Sequence, residues 1–437
     1  MKMCIILLAT FLVLLSVSSP VSAVIPDIKV DNIDSHSSKS GISYDPHSFT
    51  VSKSYSSSSG SSRIGLVSGD VTEYKIKVKV GSGKYDYITL TNYVKEKSPW
   101  HTGITKNLII LPGQALTEKF YSDMAIYYAQ QGYSAYVLDR RETNVPSGET
   151  NFKYMKSWTV DEHLKDTYKG IAVSRIHTAF LSGKSAKDIE VTAIGHSHGA
   201  LLLTAYEASK YDDLDTGSVD KVVPVDIIIK YNPEELELIQ AQAQEYDAIS
   251  ESIESGTYHT TNMETMMKIA KLASTNPNGI SPVQPLEGIT LTNIQLFRLL
   301  ASKTYALSQY PYTPDYHYWS GDLSGLYYVD ENRLLTVTLT GGAVPYTPKY
   351  MDQYMAGLMG NVEGYEIDSS RVDSPLLYVG LGGGFGDYGS WWYEKDVGNK
   401  NNKVTSIKWN DQGHGSIALD RNSPELWAII DKWIKEN

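Results

Sequence analysis

"VTAIGHSHGALLLTAYEAS", Val191 to Ser209, is the stretch whose reading decides the fold. "EVTAI" (190–194) has strand character and runs into Gly195, while "ALLLTAYEAS" after Gly199 reads as a buried helix. Ser197 stands two residues from a glycine on each side, flanked by His196 and His198. The pattern G-x-S-x-G is weak by itself in a chain with 34 glycines, so the flanks carry the argument. A strand ending at the first glycine and a helix opening at the second leave no room for side chains at those positions. The serine is then forced onto a strained backbone with its hydroxyl presented for reaction. Ser197 is therefore the expected nucleophile.

Strands and helices alternate around this turn. "NLIILPG" (Asn107–Gly113) is a continuous apolar run, as in a strand buried on both faces. "TEKFYSDMAIYYAQQG" reads as a helix closed by Gly132, "YSAYVLDRR" as a strand, "SWTVDEHLKDTYKGIAVSRIHTAF" as a helix and "VPVDIIIKYN" as a strand. Upstream, "YKIKVKV" and "YDYITLTNYV" alternate apolar and polar residues, predicting an antiparallel edge joined through "GSGK". The α/β pattern resumes at "SPLLYVGLGGG" (Ser374–Gly384) and runs through "KVTSIKWN" to a final amphipathic helix, "SPELWAIIDKWIKE". Such alternation predicts an α/β fold with a mostly parallel sheet and helices on both faces. Residues 70–232 and 365–437 form this expected core. Between them, residues 233–364 show mainly helical periodicity and read as an inserted cap or lid. It includes an aromatic-rich segment, Tyr305 to Tyr328.

The ends set the compartment. Lys2, the apolar "CIILLATFLVLLSV" and the small-residue "VSA" read as a signal peptide over residues 1–23, cleaved after Ala23; the other reading is a retained anchor. Residues 24–69 form a serine-rich leader, expected to be flexible, that could tether the folded part to a cell surface. The single cysteine, Cys4, lies inside the signal, so thiol catalysis, disulfides and Cys-ligated zinc are excluded for the mature chain. A net charge of −11 argues against nucleic acid and anionic membrane as partners.

A serine hydroxyl needs a base to take its proton. The histidines beside Ser197 are expected to frame the turn. His414, between Gly413 and Gly415 after the last strand, fits the order nucleophile, acid, histidine. With these residues in view, the chain resembles the α/β-hydrolase superfamily, of the serine esterase or lipase-like kind with a helical cap. The resemblance rests on "LIILPG", "GYSAYVLDRR", "GHSHG" and "GHGSIAL". It implies an oxyanion hole of backbone N–H groups, one from His198 and one from the loop after "LIILPG", most simply Gln114 with Ala115 next. This sequence has Pro112-Gly113 where the family often has His-Gly. It also implies an acid a few residues after "PLLYVG". Glycines occupy that position here, so the candidates are Asp387 or Asp396. An acid taken after the preceding strand would point to Glu234 or Glu235.

Elsewhere, the charges of "LDRR" (Leu138–Arg141) read as a structural ion pair rather than a substrate contact, and "DEHLKD" (161–166) as a solvated helix face. "GSGK" and "GLGGGFG" lack phosphate-loop and dinucleotide patterns, and no cluster has zinc spacing, so neither cofactor nor metal is expected. The expected function is a secreted serine hydrolase cleaving small-molecule or lipid carboxylic esters through an acyl-enzyme. The alternatives are a peptidase or amidase with the same triad, or a non-catalytic binding module on a hydrolase scaffold.

Overall fold

The apolar run before Pro112 forms the central strand of the sheet. The computed structural model describes residues 40–42, 49–55, 71–95, 104, 106–214, 216–259, 262–285, 288–302, 325–326, 329–358, 360 and 364–437. The signal peptide, and the aromatic-rich segment apart from residues 325–326, lie outside the described residues. Ten described strands make one sheet in the order β1-β2-β3-β4-β6-β5-β7-β8-β9-β10. They are β1 (Ser40–Ile42), β2 (Phe49–Tyr55), β3 (Val71–Lys79), β4 (Tyr87–Lys95), β5 (Lys106–Leu111), β6 (Ser134–Asp139), β7 (Glu190–His196), β8 (Lys221–Val225), β9 (Leu376–Gly383) and β10 (Val404–Gly413). Strands β5 to β10 pair in parallel, and β1 to β4 add an antiparallel wing that joins at β6.

Order was expected to begin near residue 70. Strands β1 and β2 already pair ahead of it, within the serine-rich leader: Val51 lies opposite Ile76 and Phe49 opposite Val78. The edge of β3 away from β4 is taken up by β2, and "FTVSKSY" has β-branched and aromatic residues suited to that pairing.

Successive residues of β5 feed opposite faces, which explains its unbroken apolar run. Leu108 and Ile110 pack with α1 (Glu118–Gln130) and the C-terminal α10 (Ser423–Glu436). Ile109 and Leu111 pack with α2 (Val160–Ser182) and α3 (His198–Glu207). Each large side chain so buried contributes roughly 1.5–3 kcal/mol. Thr159 caps α2 by accepting from Glu162 N, and α2 closes on Gly183 in the left-handed region.

Between β8 and β9 the described residues form five α-helices: α4 (Leu236–Glu254), α5 (Asn262–Thr275), α6 (Asn293–Ser302), α7 (Glu331–Leu339) and α8 (Lys349–Leu358). The short helix α9 (Gly386–Trp392) follows β9. Tyr350, Met351, Tyr354 and Met355 of α8 join the same apolar cluster as α2 and α3. Residues 341–344 meet the loop after β5: Thr117 N donates to the Gly342 carbonyl (2.9 Å) and Val344 N to the Ala115 carbonyl (2.7 Å). None of the described helices is long and apolar enough to cross a membrane.

Because β5 sends its chain to β6 on one side while β7 pairs on the other, the strand order reverses there. Loops leaving the C-terminal ends of β5, β7, β8, β9 and β10 converge at that switch point.

Candidate active site

Ser197 links β7 to α3 with φ 54° and ψ −125°. A Cβ on Gly195 would run into the Gly199 carbonyl, and one on Gly199 into the Leu111 carbonyl. Only glycine fits at either position, as the sequence requires. Among the described residues, three non-glycine residues have positive φ: Ala115 (60°), Ser197 (54°) and Asp226 (50°). All three lie in loops at this switch point, where strained backbone is a mark of function.

His414 follows β10 and reaches Ser197: the Oγ and Nε2 atoms are 2.9 Å apart. Its Nδ1 donates to Asp226 Oδ2 at 2.6 Å. Asp226 is thus the carboxylate beside His414, in place of the candidates drawn from the sequence. Asp387 lies on α9 and Asp396 on the turn after it; Glu234 is exposed and Glu235 only partly covered. Glu234 and Glu235 were expected after this strand because "VPVDIIIKYN" reads as one continuous strand. In fact β8 stops at Val225, and Asp226 N donates to the Val379 carbonyl as the chain turns. The apolar Ile227, Ile228 and Ile229 are buried in the turn itself, which disguised the strand end.

The glycine run after β9, which left no carboxylate in the expected place, cradles Asp226 at the end of the neighbouring strand. Asp226 Oδ1 accepts from Leu381 N (2.9 Å) and Gly386 N (3.0 Å), and Oδ2 from Phe385 N (3.1 Å). A Cβ on Gly384 would overlap Oδ2. The Phe385 ring packs edge-on against the His414 imidazole, with centroids 5.2 Å apart. Asp226, His414 and Ser197 are 0%, 1% and 4% exposed, so the constellation is closed from solvent.

Both flanking histidines frame the turn, as expected. Tyr121 Oη accepts from Gly113 N (2.9 Å) and donates to His196 Nδ1 (2.6 Å). His196 Nε2 donates in turn to the His414 carbonyl (2.7 Å), since a carbonyl can only accept. Burial holds His196 well below the usual imidazole range. His198 packs edge-on against Tyr354 of α8, and burial, helped by the nearby Arg140 charge, pushes it down to about 3. Neither ring is suited to take a proton near neutral pH.

His198 opens α3, where its backbone N–H has no intrahelical partner. Gly113 abuts Ser197: a Cβ built on it would stand 3.4 Å from Ser197 Cβ. Gln114 follows it in the loop that leads to α1.

The arginines of "LDRR" form buried ion pairs, as expected, though with partners the sequence did not indicate. Arg141 grips Asp166 with Nε (2.7 Å) and Nη2 (2.6 Å), so one carboxylate of "DEHLKD" faces the interior rather than solvent. Arg140 Nε donates to Glu142 Oε1 (2.7 Å), Nη1 to the Pro112 carbonyl (2.6 Å) and Nη2 to the Gly113 carbonyl (2.6 Å). Burial works against the Glu142 charge, but Arg140 and His163 beside it hold its carboxyl below the usual range.

No protein-family model matches the sequence, and no curated protein is similar to it. Among solved structures, the chain is similar to a protein from Sulfolobus solfataricus described as a "putative lipase". The TM-score is 0.54 at 14% identity, covering 84% of this chain and 95% of that one. It is also similar to a soluble variant of monoglyceride lipase from Saccharomyces cerevisiae, with TM-score 0.47, 12% identity, and 80% and 92% of the two chains covered. For an epoxide hydrolase from Vigna radiata the values are 0.45, 12%, 84% and 98%. At 14% identity the likeness to the first of these concerns the fold.

Proposed function

The chain has the α/β-hydrolase fold, and on that premise we propose that it is a secreted serine hydrolase of carboxylic esters working through an acyl-enzyme on Ser197. The observation that carries the reading is the continuous, buried relay from Ser197 Oγ to His414 Nε2 (2.9 Å) and from His414 Nδ1 to Asp226 (2.6 Å). Ser197 Oγ attacks the ester carbonyl while His414 Nε2 takes its proton. Asp226 holds the tautomer and stabilises the imidazolium. The carbonyl oxygen gains negative charge, which the backbone N–H groups of His198 and Gln114 receive in this reading. One such donor is worth about 3–4 kcal/mol of barrier. His414 then returns the proton to the departing alkoxide, leaving the acyl group on Ser197. Water, deprotonated by His414, attacks the acyl-enzyme, and collapse frees the acid and restores Ser197.

A non-catalytic scaffold drew its only support from the lack of an acid after β9, and Asp226 removes that support. The buried aromatics of α8 beside the elbow favour an apolar acyl group over a charged peptide. Residues 1–23 supply the case for export.

A fluorophosphonate probe tests the reading: wild-type protein should be labelled, and Ser197→Ala should not. Persistent labelling of Ser197→Ala would sink the assignment. Comparing p-nitrophenyl esters of graded chain length with aminoacyl anilides separates ester from amide cleavage.

A further inference from the structure

We propose that Arg140 is the positioning residue of the oxyanion loop, setting the direction of the Gln114 N–H without touching the substrate. The proposal rests on the serine-hydrolase reading above.

Arg140 is 4% exposed, and three of its N–H groups are committed. Two go to successive backbone carbonyls, Pro112 and Gly113, each at 2.6 Å. A planar guanidinium offers parallel donors in a fixed fork, so two carbonyls held by one fork lose their freedom to rotate. The fork is itself anchored through Nε to Glu142 Oε1 (2.7 Å), whose other oxygen lies 3.2 Å from His163 Nε2. An ordinary ion pair would direct the fork at the carboxylate, leaving the Pro112 carbonyl without this donor and the Gly113 carbonyl with only the longer bond from Leu116 N (3.2 Å). Here the carboxylate takes only the stem nitrogen.

The consequence follows from amide geometry. In a trans peptide the C=O and N–H point in opposite directions. Drawing the Pro112 carbonyl to Arg140 aims the Gly113 N–H the other way, and that donor goes to Tyr121 Oη (2.9 Å). Drawing the Gly113 carbonyl to Arg140 likewise aims the Gln114 N–H away from the guanidinium. Among the described residues nothing accepts from that N–H. Ala115, at φ 60°, then turns the chain, and its carbonyl is held by Val344 N (2.7 Å). The loop is therefore braced on both sides of one free donor next to the nucleophile. A donor fixed before reaction needs no reorganisation when the oxyanion forms. A lysine, a point charge on a flexible stem, cannot hold two carbonyls in one plane.

The experiment uses full-length enzyme and the variants Arg140→Gln, Arg140→Lys and Glu142→Gln. It measures kcat and KM on a p-nitrophenyl ester, the Ki of a trifluoromethyl ketone that forms a tetrahedral adduct with serine, and thermal melting. Arg140→Gln should lower kcat about 10²-fold, the scale of one oxyanion donor, with KM changed less than about threefold. The ketone Ki should rise by a matching factor, and Arg140→Lys should recover part of both. Should Arg140→Gln fail to fold, Arg140→Lys and Glu142→Gln decide, each losing kcat and ketone affinity together with melting intact. Folded variants with wild-type kcat and wild-type Ki would overturn the proposal, as would a loss confined to KM. Wild-type protein inert to fluorophosphonate would overturn the hydrolase reading and this inference with it, and that result is visible before any variant is made.

Discussion

Replacing Asp226 by asparagine keeps the shape of the side chain and changes what it can accept. The carboxylate sits among four donors: Leu381 N and Gly386 N on Oδ1, Phe385 N and His414 Nδ1 on Oδ2. An amide has one accepting oxygen. If that oxygen keeps Leu381 and Gly386, the NH2 group faces Phe385 N–H and His414 Nδ1. The imidazole must then present a lone pair at Nδ1 and carry its proton on Nε2, so Ser197 faces an N–H and has no base. If the amide turns over, the oxygen serves His414 and the NH2 group meets Leu381 N–H and Gly386 N–H instead. The first arrangement strands one buried donor and the second two, so it prevails by about 1–3 kcal/mol, the cost of one more unsatisfied group. The wrong tautomer costs about 10⁴ in kcat in a serine–histidine–aspartate site, or about 5.4 kcal/mol. Asp226→Asn should therefore fold, melt a little lower and turn over a p-nitrophenyl ester about 10⁴ times more slowly. Fluorophosphonate labelling should slow in parallel. Asp387→Asn should stay within about threefold of wild type, because the full loss is assigned to Asp226. Retention of a tenth or more of the activity in Asp226→Asn, or an equal loss in Asp387→Asn, would refute the reasoning.

Three further expectations concern the surroundings. Gly384→Ala places a Cβ on Asp226 Oδ2 and should cut kcat by at least about tenfold in folded protein, since even a 1 Å displacement of a catalytic group costs about 10²-fold; unchanged turnover would mean that the cradle yields freely. Tyr121→Phe strands Gly113 N–H and His196 Nδ1 and should destabilise the protein by about 1–3 kcal/mol in urea unfolding, with no effect if water can enter to replace the hydroxyl. Asp139 is pushed up to about 7 by burial and by the neighbouring Glu118 carboxyl, while Lys75 and Arg140 act in the opposite sense. Its unfolded value is about 4, so between pH 4 and 7 the folded state holds a proton that the unfolded state releases. Stability from this group falls as pH rises through that window. Asp139→Asn, which can still accept from Glu118 N at the start of α1, should flatten the decline in urea midpoints measured from pH 5 to 8.

The parts of the site legible in the sequence were those set by local geometry. Glycines at 195 and 199 report a turn that excludes side chains, and Gly413-His414-Gly415 reports a loop after the last strand. Asp226 was hidden because an acid directly after "VPV" and before three isoleucines looks like the middle of a strand; burial of those isoleucines in the turn makes the same pattern. The glycines after β9 were visible, but their purpose lies on the neighbouring strand, and no spacing along one chain reports a contact across two. Arg140 was obscured for the same reason. Its partners are backbone carbonyls, which leave no mark in the side-chain sequence. In the leader, serine content outweighed the short β-forming run that pairs with β3.

Because Asp226 follows β8 and its cradle lies at the end of β9, the cluster of Ser197, His414 and Asp226 is divided by the segment between the two. Ser197 and Asp226 precede it; Leu381, Phe385, Gly386 and His414 follow it. The halves are held in step by strand pairing, with Val225 opposite Val379. A slip of two residues along that pairing keeps every side chain on its own face yet moves the acid about 6.6 Å from its cradle. A chain severed between Asp226 and β9 would therefore leave Ser197 and Asp226 on one fragment, His414 and the cradle on the other. Any turnover such fragments regained on mixing would count the molecules in which β8 had found β9 in register.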